Sequence, residues 1–220
     1  MKTSFHRIAA ATLVACTAIA AHADNVTFLG YANGSAPINF AVMAPATSGS
    51  TSAGGFNTQL NGGPTFASFC IDLYQGFSFN TAYTDYTPVA ANAFTFINVR
   101  AAADLGRLFT AYGAISTASS TNSAAFQTAI WEIVDETAAG PYSLTSGNAT
   151  FSGDSATLAK AGLWLGALGT MNNVNLKVLR SDRHQDVIFA TTPVPEPGTY
   201  ALMAAGLAAM GFVAGRRRPA

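Results

Sequence analysis

Two side chains in this 220-residue chain carry chemistry that their neighbours do not explain: the thiol of Cys70 and the carboxamide of Gln127. Gln127 lies in Ala125–Glu136, AFQTAIWEIVDE, a helical pattern. At about 100° per residue, Phe126, Ile130, Trp131, Ile133 and Val134 share one arc. Thr128, Glu132, Asp135 and Glu136 project from the other side, where charges keep a helix soluble. Gln127 falls inside the apolar arc. An amide brings two donors and two acceptor sites, and burying it without partners costs about 2 kcal/mol or more. The helix must therefore offer Gln127 a polar neighbour. Cys70 lies in FASFCIDLY, a short apolar run of strand length rich in aromatic and β-branched residues. Once an N-terminal export segment is removed, it is the one cysteine of the chain, without an intramolecular disulfide partner. Taken singly, Cys70 reads as a small core residue and Gln127 as a hydrogen-bonded core amide.

Taken together, Phe69-Cys70-Ile71-Asp72 and Gln127-Thr128-Ala129-Ile130-Trp131 form a pattern. It resembles the Cys-Gln thioester domains of bacterial surface proteins. The resemblance implies an internal thioester between the Cys70 sulfur and the Gln127 side-chain carbonyl carbon, formed with loss of ammonia. Proximity favours such an intramolecular attack. The product is an activated acyl group that needs protection from water, a role that falls to Phe69, Asp72 and Trp131. A strand places Asp72 on the same face as Cys70. The implied activity is covalent capture of an amine or hydroxyl on a protein or polysaccharide target, by a single-use anchor and not a turnover enzyme. The chain departs from the pattern at Phe126, where Gram-positive members commonly carry Thr. The alternative is a non-covalent structural or exopolysaccharide-binding matrix protein in which Cys70 is buried and free.

Other reactive groups are sparse. After export, His184 is the one histidine, in a polar turn beside Asp182, Arg183 and Asp186, and it reads as an exposed residue. One histidine and one cysteine cannot make a four-ligand zinc site, and the two aspartates fit no calcium loop. No nucleophile elbow, phosphate loop or dinucleotide fingerprint is present, so no cofactor is expected.

Both ends read as sorting signals. Residues 1–23 have a basic start (Lys2, Arg7), an apolar run from Ile8 to Ala21, and a small-x-small site at Ala21-His22-Ala23. That is a secretory signal peptide, cut by signal peptidase after Ala23; the run Leu13-Val14-Ala15-Cys16 is a weaker lipoprotein-like alternative. At the other end, Val194-Pro195-Glu196-Pro197 precedes the apolar stretch Tyr200–Gly215 and the basic cluster Arg216-Arg217-Arg218. The stretch is shorter than the roughly 20 residues of a full bilayer span, although small residues and flanking arginines allow insertion as a single hydrophobic helix. The arginines would stay cytoplasmic. Residues 193–220 resemble the PEP-CTERM sorting tail of Gram-negative bacteria. The resemblance implies an exosortase as partner, transient inner-membrane insertion, and delivery to the cell surface or extracellular matrix of a biofilm.

Residues 24–192 then form one exported globular domain. They carry two lysines and four arginines against eight aspartates and two glutamates, a net charge of −4, which argues against nucleic-acid binding. Strands are expected at 25–31, 37–43 and 65–74, with residues 44–64, rich in Ser, Thr, Gly and Asn, as an exposed loop. Residues 76–90 read as a hairpin partner of the Cys70 strand. Helices follow at 98–115, around Gln127, and at 154–168 burying Leu158, Leu163 and Trp164 or Leu165; late strands fall at 173–180 and 186–191. Strands, helices and strands in that order make an α+β domain, a β-sandwich or barrel with inserted helices.

Overall fold

The computed structural model describes residues 24–191. The signal peptide with Ala21 and Ala23, the sorting residues Val194, Pro195, Glu196 and Pro197, the apolar C-terminal stretch and Arg216, Arg217 and Arg218 lie outside the described residues. Among the described residues no helix is long and apolar enough to cross a membrane.

The strands close into a barrel and do not stack as a sandwich. Among the described residues there are nine strands: β1 (Asp24–Tyr31), β2 (Ala36–Val42), β3 (Thr47–Ala53), β4 (Phe56–Leu60), β5 (Phe66–Cys70), β6 (Ala82–Ala90), β7 (Ala149–Gly153), β8 (Asn175–Arg180) and β9 (Val187–Thr191). Six of them form the closed barrel in the order β1-β4-β5-β9-β8-β6, and β3-β2-β7 form a separate three-stranded sheet. All pairings are antiparallel. Closure removes the exposed edges that an open sheet would have to protect.

Three helices complete the fold: α1 (Ala101–Tyr112), α2 (Ser120–Asp135) and α3 (Ser155–Gly166). Ser119 caps α2 by accepting from Asn122 N at 3.1 Å, and Asp154 caps α3 by accepting from Thr157 N at 2.8 Å. Such caps satisfy amides that have no partner in the first helical turn. Helix α2 touches α1, α3, barrel strand β5 and all three strands of the small sheet. Two apolar clusters meet on it. Phe126, Ile130 and Ile133 join Phe69, Leu105 and Trp164, whereas Ala124 and Trp131 join Phe28, Ile38, Tyr86 and Phe151.

This encirclement overturns the amphipathic reading of α2. The helical arc puts Thr128, Glu132, Asp135 and Glu136 on the solvent side, and all are buried, at 0%, 0%, 1% and 3% exposure. Periodicity finds the strongest apolar face of a helix and is blind to a second partner on the other side. The burial is made tolerable by local bonds. Glu132 accepts from Ser143 N, and Glu136 accepts from Ala138 N and Asn148 N. The last carbonyls of the helix are capped by Asn98, whose Nδ2 donates to Ile133 O, and by Asn148, whose Nδ2 donates to Asp135 O.

Other expectations also change. Residues 44–64 contain strands β3 and β4 and not one loop, because Thr47–Ala53 pairs in full register with β2 and Phe56–Leu60 enters the barrel. Thr58 inside it is bonded to Ser68 across the strands, Oγ1 to Oγ at 2.6 Å. Residues 76–90 are not the hairpin partner of β5; the strand is confined to Ala82–Ala90 and pairs with β1 and β8. β5 stops at Cys70, so Asp72 is not strand-paired. Strand β7 was not anticipated, and Leu163 is 72% exposed, with Ala161, Trp164 and Leu165 making the buried face of α3.

Candidate functional site

Fifty-seven residues separate Cys70 from Gln127 in sequence, and the fold closes them into contact. The main-chain N–H of Cys70 donates to Gln127 Oε1 at 2.9 Å, and Gln127 Nε2 donates to the Cys70 carbonyl at 2.7 Å. Both residues are 0% exposed. The polar neighbour demanded by Gln127 is thus the end of strand β5. Ladder pairing between β5 and β9 involves only Phe69 and Cys70, and the Gln127 amide acts as a short extra strand against the last of them.

The close approach of α2 depends on two small groups. Ser123, one turn before Gln127, accepts from Gly55 N through its hydroxyl at 2.8 Å in the buried interface. Gly55 sits against Phe69: a Cβ there would lie 2.6 Å from the Phe69 ring. Phe69 packs on Phe126 (ring centroids 4.7 Å) and Phe109 (6.0 Å). It therefore belongs to the cluster on one side of β5, and Cys70 to the cluster holding Trp131, as alternation along a strand requires.

The thiol is held at the end of the strand. Cys70 Sγ donates to the carbonyl of Asp72 at 2.7 Å and accepts from Asp72 N at 3.2 Å. Burial pushes its pKa well above the ordinary thiol value; the Trp131 indole and the Asp72 main chain oppose that shift, and the charges of Asp72 and Asp135 add to it. The thiol is therefore protonated at neutral pH. Trp131, 2% exposed, favours the thiolate through its N–H, yet this nitrogen makes no hydrogen bond of acceptable geometry.

Three carboxyls surround this end of the barrel with raised pKa values. Asp135 is pushed to about 7, first by burial and then by Asp72, while Tyr74 opposes the shift. Its Oδ2 has no partner. Asp72 is raised, chiefly by burial. Asp186 is lifted to about 6 by burial, with Ser181 N opposing. Further along α2, burial lifts Glu132 to about 8, and its Oε2 is also unpartnered. Sequence reasoning missed Asp135 because two partners bury a helix face that looks hydrophilic in isolation.

A cavity of about 240 Å³ reaches Cys70 and Trp131 from the surface, between Tyr31, Phe77, Phe79 and Gln75. Gln127 lies behind Cys70 and does not line it. A larger cavity, about 430 Å³, lies away from Cys70 between α1 and β8, lined by Gly106, Asn172 and Lys177 among others. His184 forms a separate cluster and is half-buried, not exposed as expected. Its Nδ1 lies 3.1 Å from Asp85 Oδ2, and Ser181 Oγ donates to the same carboxylate at 2.8 Å. Ser181 also approaches His184 on Nδ1, at 3.5 Å, so aspartate and serine compete for one nitrogen. A hydrolytic relay needs them on opposite nitrogens. Among the described residues no group of three or more His, Cys, Asp or Glu side chains is placed to hold a metal ion.

Residues 193–218 match the PEP-CTERM protein-sorting motif. This match supports an exported chain that passes through the membrane and is recognised by an exosortase. No curated protein and no solved structure is significantly similar to the chain.

Proposed function

We propose that this exosortase-sorted protein is a covalent anchor, whose Cys70 and Gln127 condense into an internal thioester and then transfer the Gln127 acyl group to a surface target. The observation that carries the reading is the pairing of the Gln127 carboxamide with Cys70, both residues fully buried. In the first step Sγ attacks the Gln127 Cδ, the C–N bond breaks, and the thiol proton leaves with the nitrogen as ammonia. A thiol of raised pKa needs a base, and ammonia is a poor leaving group without an acid. On this reading the roles are assigned to Asp72, whose main chain holds the thiol, and to Asp135, raised by burial to about 7. In the second step an amine or hydroxyl attacks Cδ, the C–S bond breaks, and the thiol is regenerated. Each molecule acts once, so the domain is not a turnover enzyme. The sorting tail would bring it to the cell surface or extracellular matrix, where adhesion and matrix cross-linking need such a bond.

A second reading is favoured by the completeness of the amide pairing. Both polar atoms of the Gln127 side chain are satisfied by the Cys70 main chain, which accounts for a buried glutamine without any bond formation. On that reading the domain is a non-covalent structural or exopolysaccharide-binding matrix component with a free thiol. Incubation with isotope-labelled methylamine, small enough to need no cavity wall, separates the two. The anchor incorporates the label at Gln127 and loses incorporation in Cys70→Ala. Labelling that is absent in the wild type, or unchanged by Cys70→Ala, defeats the anchor reading.

A further inference from the structure

We infer that the acceptor admitted to the Cys70–Gln127 pair is a neutral, hydroxyl-bearing saccharide, bound in the aromatic cavity that leads to Cys70; this rests on the anchor reading above. This cavity reaches the thiol, so an acceptor that enters through it passes its walls. Those walls carry no charged side chain. Their polar groups are hydroxyls and amides, namely Thr51, Ser52, Gln75 and Gln185, set among the rings of Tyr31, Phe56, Phe77 and Phe79. A lysine ammonium entering such a space would be stripped of water with no carboxylate on the wall to replace it.

The rings form one connected edge-to-face cluster. Phe77 lies 5.2 Å from Phe79 and 5.0 Å from Phe56, and Tyr31 lies 5.2 Å from Phe79, all by ring centroids and all edge to face. Phe79 is 36% exposed, which leaves apolar surface at the mouth. Aromatic faces of this kind match the C–H face of a pyranose while the wall amides meet its hydroxyl rim.

The hydrogen-bonding ledger of the wall points the same way. Two buried polar atoms on cavity-lining residues have no partner: Trp131 Nε1, a donor, and Gln75 Oε1, an acceptor. A hydroxyl both accepts and donates, so the hydroxyls of a saccharide answer either atom. An ammonium donates only and leaves the indole N–H unanswered. A hydroxyl held at Trp131 is also beside Cys70, whose sulfur carries the acyl group on the anchor reading. The transfer forms an ester between the hydroxyl oxygen and Gln127 Cδ, breaks the C–S bond, and returns the hydroxyl proton to the Cys70 sulfur.

The test uses the full chain purified in detergent, with methyl glucoside and Nα-acetyl-lysine as competing probes and intact mass and tryptophan fluorescence as readouts. The expected result is a glucoside adduct that forms in preference to the lysine adduct. The adduct falls at least tenfold in Phe79→Ala and in Gln75→Leu, while methylamine, small enough to need no wall, still adds to both variants. An ammonia deficit with a lysine adduct and no glucoside adduct overturns the inference and leaves the anchor reading standing. Absence of the ammonia deficit removes the anchor reading itself. The fluorescence titration then decides the cavity: saturable quenching by methyl glucoside, lost in Phe79→Ala, keeps it as a saccharide site, and no quenching ends it.

Discussion

The Cys70–Gln127 contact makes a quantitative prediction that does not depend on whether a thioester forms. In a Cys70→Ala background no bond to sulfur is possible, and the main chain at position 70 still presents its N–H and carbonyl to Gln127. Replacing Gln127 by Leu there removes bonds of 2.9 and 2.7 Å and leaves two main-chain groups buried without partners. Each orphaned group costs about 1–3 kcal/mol, and the cost is partly offset because the amide no longer needs to be buried. A net loss of about 2–4 kcal/mol is expected, a large share of the 5–15 kcal/mol typical of a domain. Gln127→Glu in the same background gives an internal control. One oxygen still accepts from the position 70 N–H, and the other must be protonated to face the carbonyl. The folded pKa of that Glu is therefore raised, so the variant is closest to its parent in acid and weakens as pH rises, by up to about 1.4 kcal/mol per unit. Urea unfolding of residues 24–191, followed by the fluorescence of Trp131 and Trp164, measures both. A Leu variant within about 0.5 kcal/mol of its parent, the usual range for an uninvolved surface site, would refute the assignment of Gln127 as the clamp on β5.

Three other outcomes follow from the same structure. Glu132 and Asp135 hold protons up to about pH 8 and about pH 7, whereas the unfolded chain releases them near 4. Between about pH 5 and 7 the folded state binds more protons, so unfolding free energy falls as pH rises; a urea midpoint that increases over this interval contradicts the burial of these carboxyls. Gly55→Ala places a Cβ 2.6 Å from Phe69 and forces strand β4 away from the core, lowering stability by about 1–3 kcal/mol in the same unfolding assay; an unchanged midpoint would show that Phe69 moves freely. Asn148→Ala removes the side-chain donations to Asp135 O and Ala44 O and the acceptance from Ala44 N, and should cost about 2–4 kcal/mol, with amide hydrogen exchange accelerated first at the C-terminal end of α2.

How much of this was legible in the sequence depended on whether a residue's partners were near it. Gln127 announced itself because an amide on an apolar arc is anomalous, and its partner Cys70 was found by motif. Asp154 acts within one turn, so helix α3 is placed to within two residues at each end, whereas α2 begins at Ser120, ahead of the apolar arc that marks it. Glu132 and Asp135 were misread because their burial is imposed by segments outside the helix, the 136–148 segment at Glu132 and the Asp72–Tyr74 stretch at Asp135, whose approach leaves no periodic trace in α2. Strand β3, TSGSTSA, has too little apolar content to be recognised alone; it exists because β2 offers seven residues of register. Phe77 and Phe79 read as strand residues by alternation, and their place in a loop beside Cys70 follows from barrel closure, which joins β1 to β6 across the whole domain. The partnership of Ser181, His184 and Asp85 is of the same kind, since 99 residues separate His184 from Asp85.

The most direct test of the anchor is the intact mass of the untreated protein, measured without base or amines, beside Cys70→Ala. The thioester predicts a wild-type mass short by one ammonia, no thiol available to alkylation after unfolding in neutral, amine-free denaturant, and a mutant of full sequence mass. A wild type of full mass, with one thiol that alkylates after unfolding, would contradict it, and Gln127 would then stand as the hydrogen-bonded clamp on Cys70 alone.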